Sequence, residues 1–501
     1  MPRILLVPLD SRPSNTQFAQ RLADIGGVEL VMPARGALGG LHSGADGLEL
    51  ARFIADNATS CDAAIFSWDA LLYGGLIQSR QPERGHHAVS AIREILATVD
   101  WSRVRGYSYA TLPRLGISVS TAEQYSTHET VREYFILAEG TDSSEAADRR
   151  LSELLDQLGT DTADALLLWR RRNTANVAEA MSAAAALGLQ HMHVAIEDNA
   201  RQGPHLREER ELKEHSLQLA AEGTPASFSF FDGADECACL LLAKAASELA
   251  GNRISQLQLS VHPKVPGADQ YFGLYESRSL GDGLIALGKL LHTEYVYEDA
   301  ELHWLVIHGV QPQPDYFLTP KNKYRDNPFL LPKEIVGSAP LFITDLAYCN
   351  GSNPLISQHI ARMPEQWING LVGFNTNFNA LGVSAATLKM MQLGQNNLAE
   401  RRFLLERLAD DVVYQSMGRS QVIRYLMKQE LDVLNFSGAH MLQKQECLNI
   451  ARRVWLDWIE GPGIPVLERS RISNRAAHAV QFSFPWERTF EIEAMAPEVV
   501  T

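Results

Sequence analysis

The chain has 501 residues, 46% of them hydrophobic and 21% charged, and its 60 acids against 45 bases give a net charge of −15. With a pI near 5.5, nucleic acid is excluded as a main partner, because binding a phosphate backbone needs a basic face. The length exceeds one small core and points to roughly two or three structural units in an otherwise ordinary globular composition.

The opening "MPRILLVPLDSRPSN" has only a few apolar residues before Asp10 and Arg12, too few for a secretory h-region, and reads as a first buried strand. No window approaches the ~18 apolar residues of a membrane span, so no membrane partner is expected. The five cysteines (Cys61, Cys237, Cys239, Cys349, Cys447) are odd in number, and none is in a CxxC pair. A reduced, cytoplasmic setting follows as the expectation.

Taken in chain order, the predicted strands are "RILLVPL", "VELVMP", "AAIFSW", "RGYSYATL", "HMHVAI", "SFSFF", "SQLQLSV", "HWLVIHG", "LFITDL" and "GLVGF". Most are near-continuous apolar runs, as expected for strands covered by helices on both faces. Helical stretches lie between them, such as "DGLELARFIADNA" and "NTANVAEAMSAAAALG", the second with a Gly stop. Strand–helix alternation predicts a parallel α/β fold, as a (β/α) barrel-like core or, alternatively, open doubly wound α/β domains. The barrel is favoured because acids follow many successive strands, whereas an open sheet usually gathers its ligands at one switch point.

Residues 1–383 are read as the α/β catalytic core, with a charged helical insertion over about 122–188. Residues 384–501 are read as a mainly helical region with a terminal tail after the Gly/Pro break in "GPGIPVLERSRI". The sequence shows no internal repeat and no low-complexity tract.

Polar residues cluster just after the apolar runs. Asp10, Arg12 and Asn15 follow the first; Asp69, Tyr73, Gly74, Gly75 and Arg80 follow "AAIFSW"; Arg114 follows "YSYATL". Glu197, Asp198 and Asn199 come after "HVAI", then Asp232, Asp235 and Glu236 after "FSFF". His262, Asp345 with Tyr348 and Asn350, and Asn375 with Asn377 and Asn379 follow three later strands. Parallel strands open their C-terminal ends on one face, where ligands bind, so these side chains are expected to share a rim.

Each has a plainer reading as well. Asp10 fits an Asx-turn, Asp198 or Asn199 a cap, and Asn350–Gly351 a turn. Gly74–Gly75 suit close backbone approach to a ligand. Three alternating asparagines exceed what a turn needs and suit recognition of hydroxyls or an acetamide. His191 and His193 sit at the beginning of a strand and read as structural. HExxH, CxxC, GxSxG and Walker-type loops do not occur.

"VPLDSRPSN", "SWDALLYGGLIQSR", "DGADE", "DLAYCNG", "GFNTNFNALG" and "PWERTFE" resemble, in order from about residue 3 to 491, the motifs of the bacterial family called domain of unknown function 4127. The family pattern has an Asp-Asp pair where this chain has Glu197–Asp198, and a Trp where it has Phe374. The resemblance implies an intracellular enzyme of carbohydrate metabolism in kind, without a transferable activity.

The residues lead to an expected glycoside hydrolase for a small sugar, with an N-acetylhexosaminide as one candidate. Glycosidic hydrolysis needs a carboxylic acid to protonate the leaving oxygen and a second group to support the oxocarbenium-like centre. Glu236 is assigned as that acid, and Asp235 as the carboxylate that orients a substrate acetamide. Asp10, Arg12, Asp69, Tyr73, Gly74, Arg80, Glu197, Asp198, Asp345, Asn350, Asn375 and Asn379 are assigned to substrate binding, with no cofactor and no metal. Two alternatives stand beside it: a metal-dependent hydrolase using Asp10, Asp69, Asp198, Asp345 and His262, and a non-catalytic sugar-binding protein. A homo-oligomer is left open.

Overall fold

The computed structural model describes residues 1–82, 85–119, 124–140, 144–251, 254–262, 267–296, 300–315, 339–363 and 366–500. Their contacts divide the chain into two units. The first comprises Met1–Ala19, Val28–Ala245 and Tyr275–Ser277, and the second Gln20–Gly27, Ala246–Leu274 and Arg278–Thr501.

The first unit holds β1 (Arg3–Val7), β2 (Glu29–Val31), β3 (Ala63–Ser67), β4 (Arg105–Leu112), β5 (His191–Ile196) and β6 (Ser227–Asp232). They form one parallel sheet in the order β2-β1-β3-β4-β5-β6. The central strands β3 and β5 are buried throughout, while the edge strand β2 is partly exposed, so apolar runs mark the middle of the sheet. Leu5, Val7, Phe66, Leu112 and Val194 pack with Leu50 and Ile54 of the helix Gly47–Asn57. Val177, Ala180 and Met181 of the long helix Thr160–Leu187 join the same core.

The second unit holds β7 (Ser255–His262), β8 (Thr293–Val296), β9 (His303–His308), β10 (Leu341–Leu346) and β11 (Ile368–Val372). This sheet is also parallel, in the order β8-β7-β9-β10-β11. Numbered from its own first strand, that order is 2-1-3-4-5, the same as the start of the first sheet. Each sheet therefore has a switch point, between β1 and β3 and between β7 and β9, where successive connections run in opposite directions.

The α/β class expected from the sequence is what the chain adopts, but its strands do not close into a barrel. Closure would pair β2 with β6, and both are edges. Strands covered on both faces give the same apolar runs in a barrel and in an open wound sheet, so periodicity could not separate them. Residues 1–383 likewise hold two sheets rather than one core. The C-terminal helices are not a separate layer: Leu404, Leu408, Val412, Trp455 and Trp458 pack on Leu305, Ile343 and Leu371 of the second sheet. Strand β8 and the terminal hairpin of β12 (Gln481–Ser483) and β13 (Glu493–Met495) were not anticipated. Among the described residues no helix is long and apolar enough to cross a membrane.

The helical insertion is present between β4 and β5, as helices Gln124–Ala138, Glu145–Leu158 and Thr160–Leu187; its first two positions, 122–123, lie outside the described residues. It has a small core of its own, with Val131, Phe135, Leu166 and Trp169 around Leu115. Arg170 fastens it to the sheet. That guanidinium meets Glu208 at 3.0 and 2.6 Å and donates to the carbonyls of Pro113 and Arg114 at 3.0 and 2.7 Å.

Because Arg170 and Glu208 are both buried, Arg170→Ala should strand a carboxylate and cost about 3–5 kcal/mol. Urea unfolding should show a lower midpoint for Arg170→Ala and partial recovery in the Arg170→Ala/Glu208→Ala double variant. A double variant as unstable as the sum of its singles would show that the pair is not coupled.

Candidate functional site

The loop after β1 turns tightly, with the amides of Asn15 and Thr16 both donating to the Arg12 carbonyl at 3.0 Å. This turn folds Arg12 back onto Asp10, whose carboxylate accepts from Arg12 Nε at 2.9 Å and Asn15 Nδ2 at 3.0 Å. The far edge of the same guanidinium reaches Asp235, with Nη1–Oδ2 at 3.0 Å and Nη2–Oδ1 at 2.7 Å. All three side chains are buried. One arginine thus joins the C-terminal ends of β1 and β6, with a carboxylate on each side.

Two more pairs continue the rim. Arg80 meets Glu197, with Nε–Oε2 at 3.2 Å, and Arg114 meets Asp198 at 2.5 Å. Burial and the neighbouring Arg114 guanidinium push Arg80 well below its ordinary pKa, and Asp198, Arg12 and Asp235 also act on it. An arginine does not deprotonate in a protein, so this direction measures how costly the crowded positive charge is. Asp198 is half-buried; desolvation raises its carboxyl, but the guanidiniums of Arg114 and Arg80 hold it below the usual carboxylate range.

Asp235 and Glu236 precede the helix Cys237–Leu249 but have different surroundings. Burial raises Asp235, and Arg12 opposes that rise. Glu236 is fully buried; its Oε2 accepts from the Ala234 amide at 2.9 Å, while Oε1 has no hydrogen-bond partner among the described residues. Burial pushes Glu236 well above the carboxylate range, and the charges of Asp235 and Glu276 add to this. The carboxyl folds over Gly233, where φ is +113° and an added Cβ would overlap it, so only glycine leaves it room.

Other expected site residues are committed to the scaffold. Asp69 accepts from the Thr111 amide at 2.9 Å and its hydroxyl at 2.8 Å, tying β3 to β4; burial raises it to about 6. The Tyr73 hydroxyl donates to Asn173 Oδ1 at 3.1 Å and accepts from Asn176 Nδ2 at 2.8 Å, both on the insertion. Gly74 and Gly75 allow close approach, but of the chain's own backbone. A Cβ at Gly74 would sit 2.6 Å from the Ala45 carbonyl oxygen, and one at Gly75 2.9 Å from Gln78 Oε1 and 3.6 Å from Asp10 Cβ.

Asp345, Asn350, Asn375, Asn379 and His262 belong to the second unit. Asp345 accepts from the amides of Ala347 at 3.0 Å and Asn353 at 2.7 Å, and burial raises it to about 6. Asn350 Nδ2 donates to Asp315 at 2.8 Å, and its amide to the Asn375 carbonyl at 2.9 Å. The three asparagines do not alternate along a strand, because a helix begins at Asn377. Asn377 Oδ1 accepts from Gln313, and Asn379 Nδ2 donates to Thr376 Oγ1 at 2.7 Å. Asn375, with φ at 56°, turns the chain, and Asn377 and Asn379 lie in the first turn of the helix.

Sequence reading missed some members. The insertion, read from the sequence only as a charged helical segment, brings His128 and Arg132 into the field of Asp198. His193, read as structural, holds Ser229 Oγ at 2.8 Å through Nδ1. Its ring also lies beside Glu236 and Cys237, with one ligand atom from each of the three within 4.8 Å of the others.

The raised Asp69 gives a pH prediction. A carboxyl near 6 when folded and near 3.8 when unfolded stabilises the fold below the lower value and loses that contribution as pH rises through the upper one. Relative to Asp69→Asn, the wild type should therefore lose up to about 3 kcal/mol between about pH 4 and pH 6. Urea titrations at a series of pH values measure this, and a wild type that gains on the variant over that window would contradict the assignment.

No curated protein matches the chain. The family model described as Protein of unknown function (DUF4127) matches residues 4–495, nearly the whole chain and in agreement with the motifs, and the chain belongs to that family.

Proposed function

We propose that the first unit is a hydrolase for a small sugar or glycoside, with Glu236 as proton donor and Asp235 as the carboxylate that orients the substrate or supports the developing positive centre. The observation that carries this reading is the contrast within one adjacent pair. Asp235 shares Arg12 with Asp10, while Glu236 is buried with an unpartnered Oε1 and pushed well above the carboxylate range. Burial raises both carboxyls, but Arg12 opposes the rise at Asp235 while neighbouring acids add to it at Glu236, and environments that separate two neighbouring carboxyls divide acid and base roles in glycoside hydrolysis. Asp10, Arg12, Arg80, Glu197 and Asp198 supply donors and acceptors for hydroxyls around that pair. Glu236 does not face solvent here, so turnover on this reading requires its carboxyl to become accessible to substrate.

A second reading is favoured by the approach of His193, Glu236 and Cys237 to one another. Nitrogen, thiolate and carboxylate ligands suit a zinc-like divalent ion, which could supply an activated water. It would use Glu236 ionised rather than protonated, and a different ligand set from the acids read in the sequence.

Two variants separate the readings. With nitrophenyl glycosides, Glu236→Gln should lower kcat on the order of 100-fold or more, the usual size of a general-acid contribution, while Cys237→Ser should retain activity. Glycoside turnover unchanged by Glu236→Gln would sink the acid assignment. The metal reading predicts the opposite pattern for Cys237: metal in the purified protein, activity lost on chelation, and both lost in Cys237→Ser.

A further inference from the structure

The second unit carries a cavity of about 200 Å³ at the N-terminal edge of its sheet, where Pro340 leads into β10 and Trp367 into β11. Arg401, Arg469 and Arg471 all line it. They come from different segments: Arg401 from the helix Asn397–Arg407, Arg469 from the end of the helix Ile464–Arg469, and Arg471 from the turn beyond it. Three guanidiniums around one small cavity repel one another, an arrangement that a bound anion relieves.

Arg469 and Arg471 are held in place. Arg469 Nη2 donates to the Met363 carbonyl at 3.0 Å. The Arg471 guanidinium lies 3.7 Å from the centre of the Trp367 ring, and its backbone φ of 54° is one that few non-glycine residues adopt. Between these arginines, Ser470 borders the cavity and is 3% exposed, and its buried hydroxyl has no hydrogen-bond partner among the described residues. A buried hydroxyl without a partner is costly. Asn397, the first residue of its helix, also lines the cavity, so a positive helix end faces the same space.

Among the described residues the acid on the wall is Glu400, which receives Asn369 Nδ2 at 3.4 Å and which burial raises to about 7. Near neutrality it is therefore about half protonated and only partly offsets the arginines. A carboxylate ligand offers two oxygens and is served by one guanidinium fork. A phosphate monoester offers three outer oxygens and up to two charges, which better matches three guanidiniums, a hydroxyl and a helix N-terminus.

We infer that this cavity is a binding site for the phosphate group of a small phosphorylated molecule, held by Arg401, Arg469, Arg471 and Ser470. The inference uses the second unit alone and stands whether or not the first unit hydrolyses glycosides.

Calorimetric titration of the full chain with inorganic phosphate and with a hexose phosphate tests it, against sodium chloride at matched ionic strength. Saturable binding of one equivalent is expected. It should weaken roughly tenfold or more in Arg401→Ala and in Arg471→Ala, and less in Ser470→Ala, with unfolding midpoints of the free variants showing which remain folded. Tighter binding of the hexose phosphate than of free phosphate would identify a metabolite site, and the reverse a site for phosphate itself. Trp367 gives a second readout, because a ligand that draws Arg471 off the ring should change fluorescence in the wild type but not in Trp367→Phe. No saturable binding at millimolar phosphate, chloride binding of equal strength, or binding unchanged in folded Arg401→Ala and Arg471→Ala would overturn it.

Discussion

The site of the first unit depends on one buried guanidinium between two carboxylates. Arg12 lies between Asp10 and Asp235, residues 225 positions apart in sequence that come from the ends of β1 and β6. Removing such a charge from water costs several kcal/mol, and contacts on both sides are needed to offset it. The tight turn after β1, the Asn15 side chain on Asp10 and the placing of Asp235 just before a helix all serve that geometry. The neighbouring Arg80–Glu197 and Arg114–Asp198 pairs extend the same pattern along the sheet edge. Arg170 holds the loop that carries Arg114 by bonding its carbonyl.

Against this paired background Glu236 is the exception. Among the described residues it meets no guanidinium and its second oxygen has no partner, and it lies against a glycine that could not carry a side chain. A buried polar atom left without a partner is costly, and in a carboxyl with no ion pair it invites a functional reading. Proton donation is the use that fits a neutral carboxyl at Glu236. Ligation of an ion with His193 and Cys237 is the use that fits an ionised one.

Much of the fold was legible in the residues. All ten apolar runs are strands, because burial on both faces leaves a signal that few loops imitate. Strand β8, "TEYV", escaped because it is a short edge strand with half-buried and exposed residues, and the terminal hairpin has only three residues on each side. The matching strand order of the two sheets was invisible for a different reason. It repeats a path through space, and path constrains burial without requiring the same residues. The carboxylates at strand ends were readable as a group, but which cation each one meets was not, since pairs such as Arg12–Asp235 are closed only by the fold. The asparagine row failed where a change of period, from strand to helix at Asn377, fell inside the motif.

The account turns on whether Glu236 carries a proton at neutral pH. Infrared difference spectra of the full chain, wild type against Glu236→Gln, read the carbonyl stretch of a protonated carboxyl directly. The account predicts a buried protonated-carboxyl band at neutral pH that disappears in the variant and persists in Asp235→Asn. Spectra that show only an ionised carboxylate lost on substituting Glu236 would contradict it.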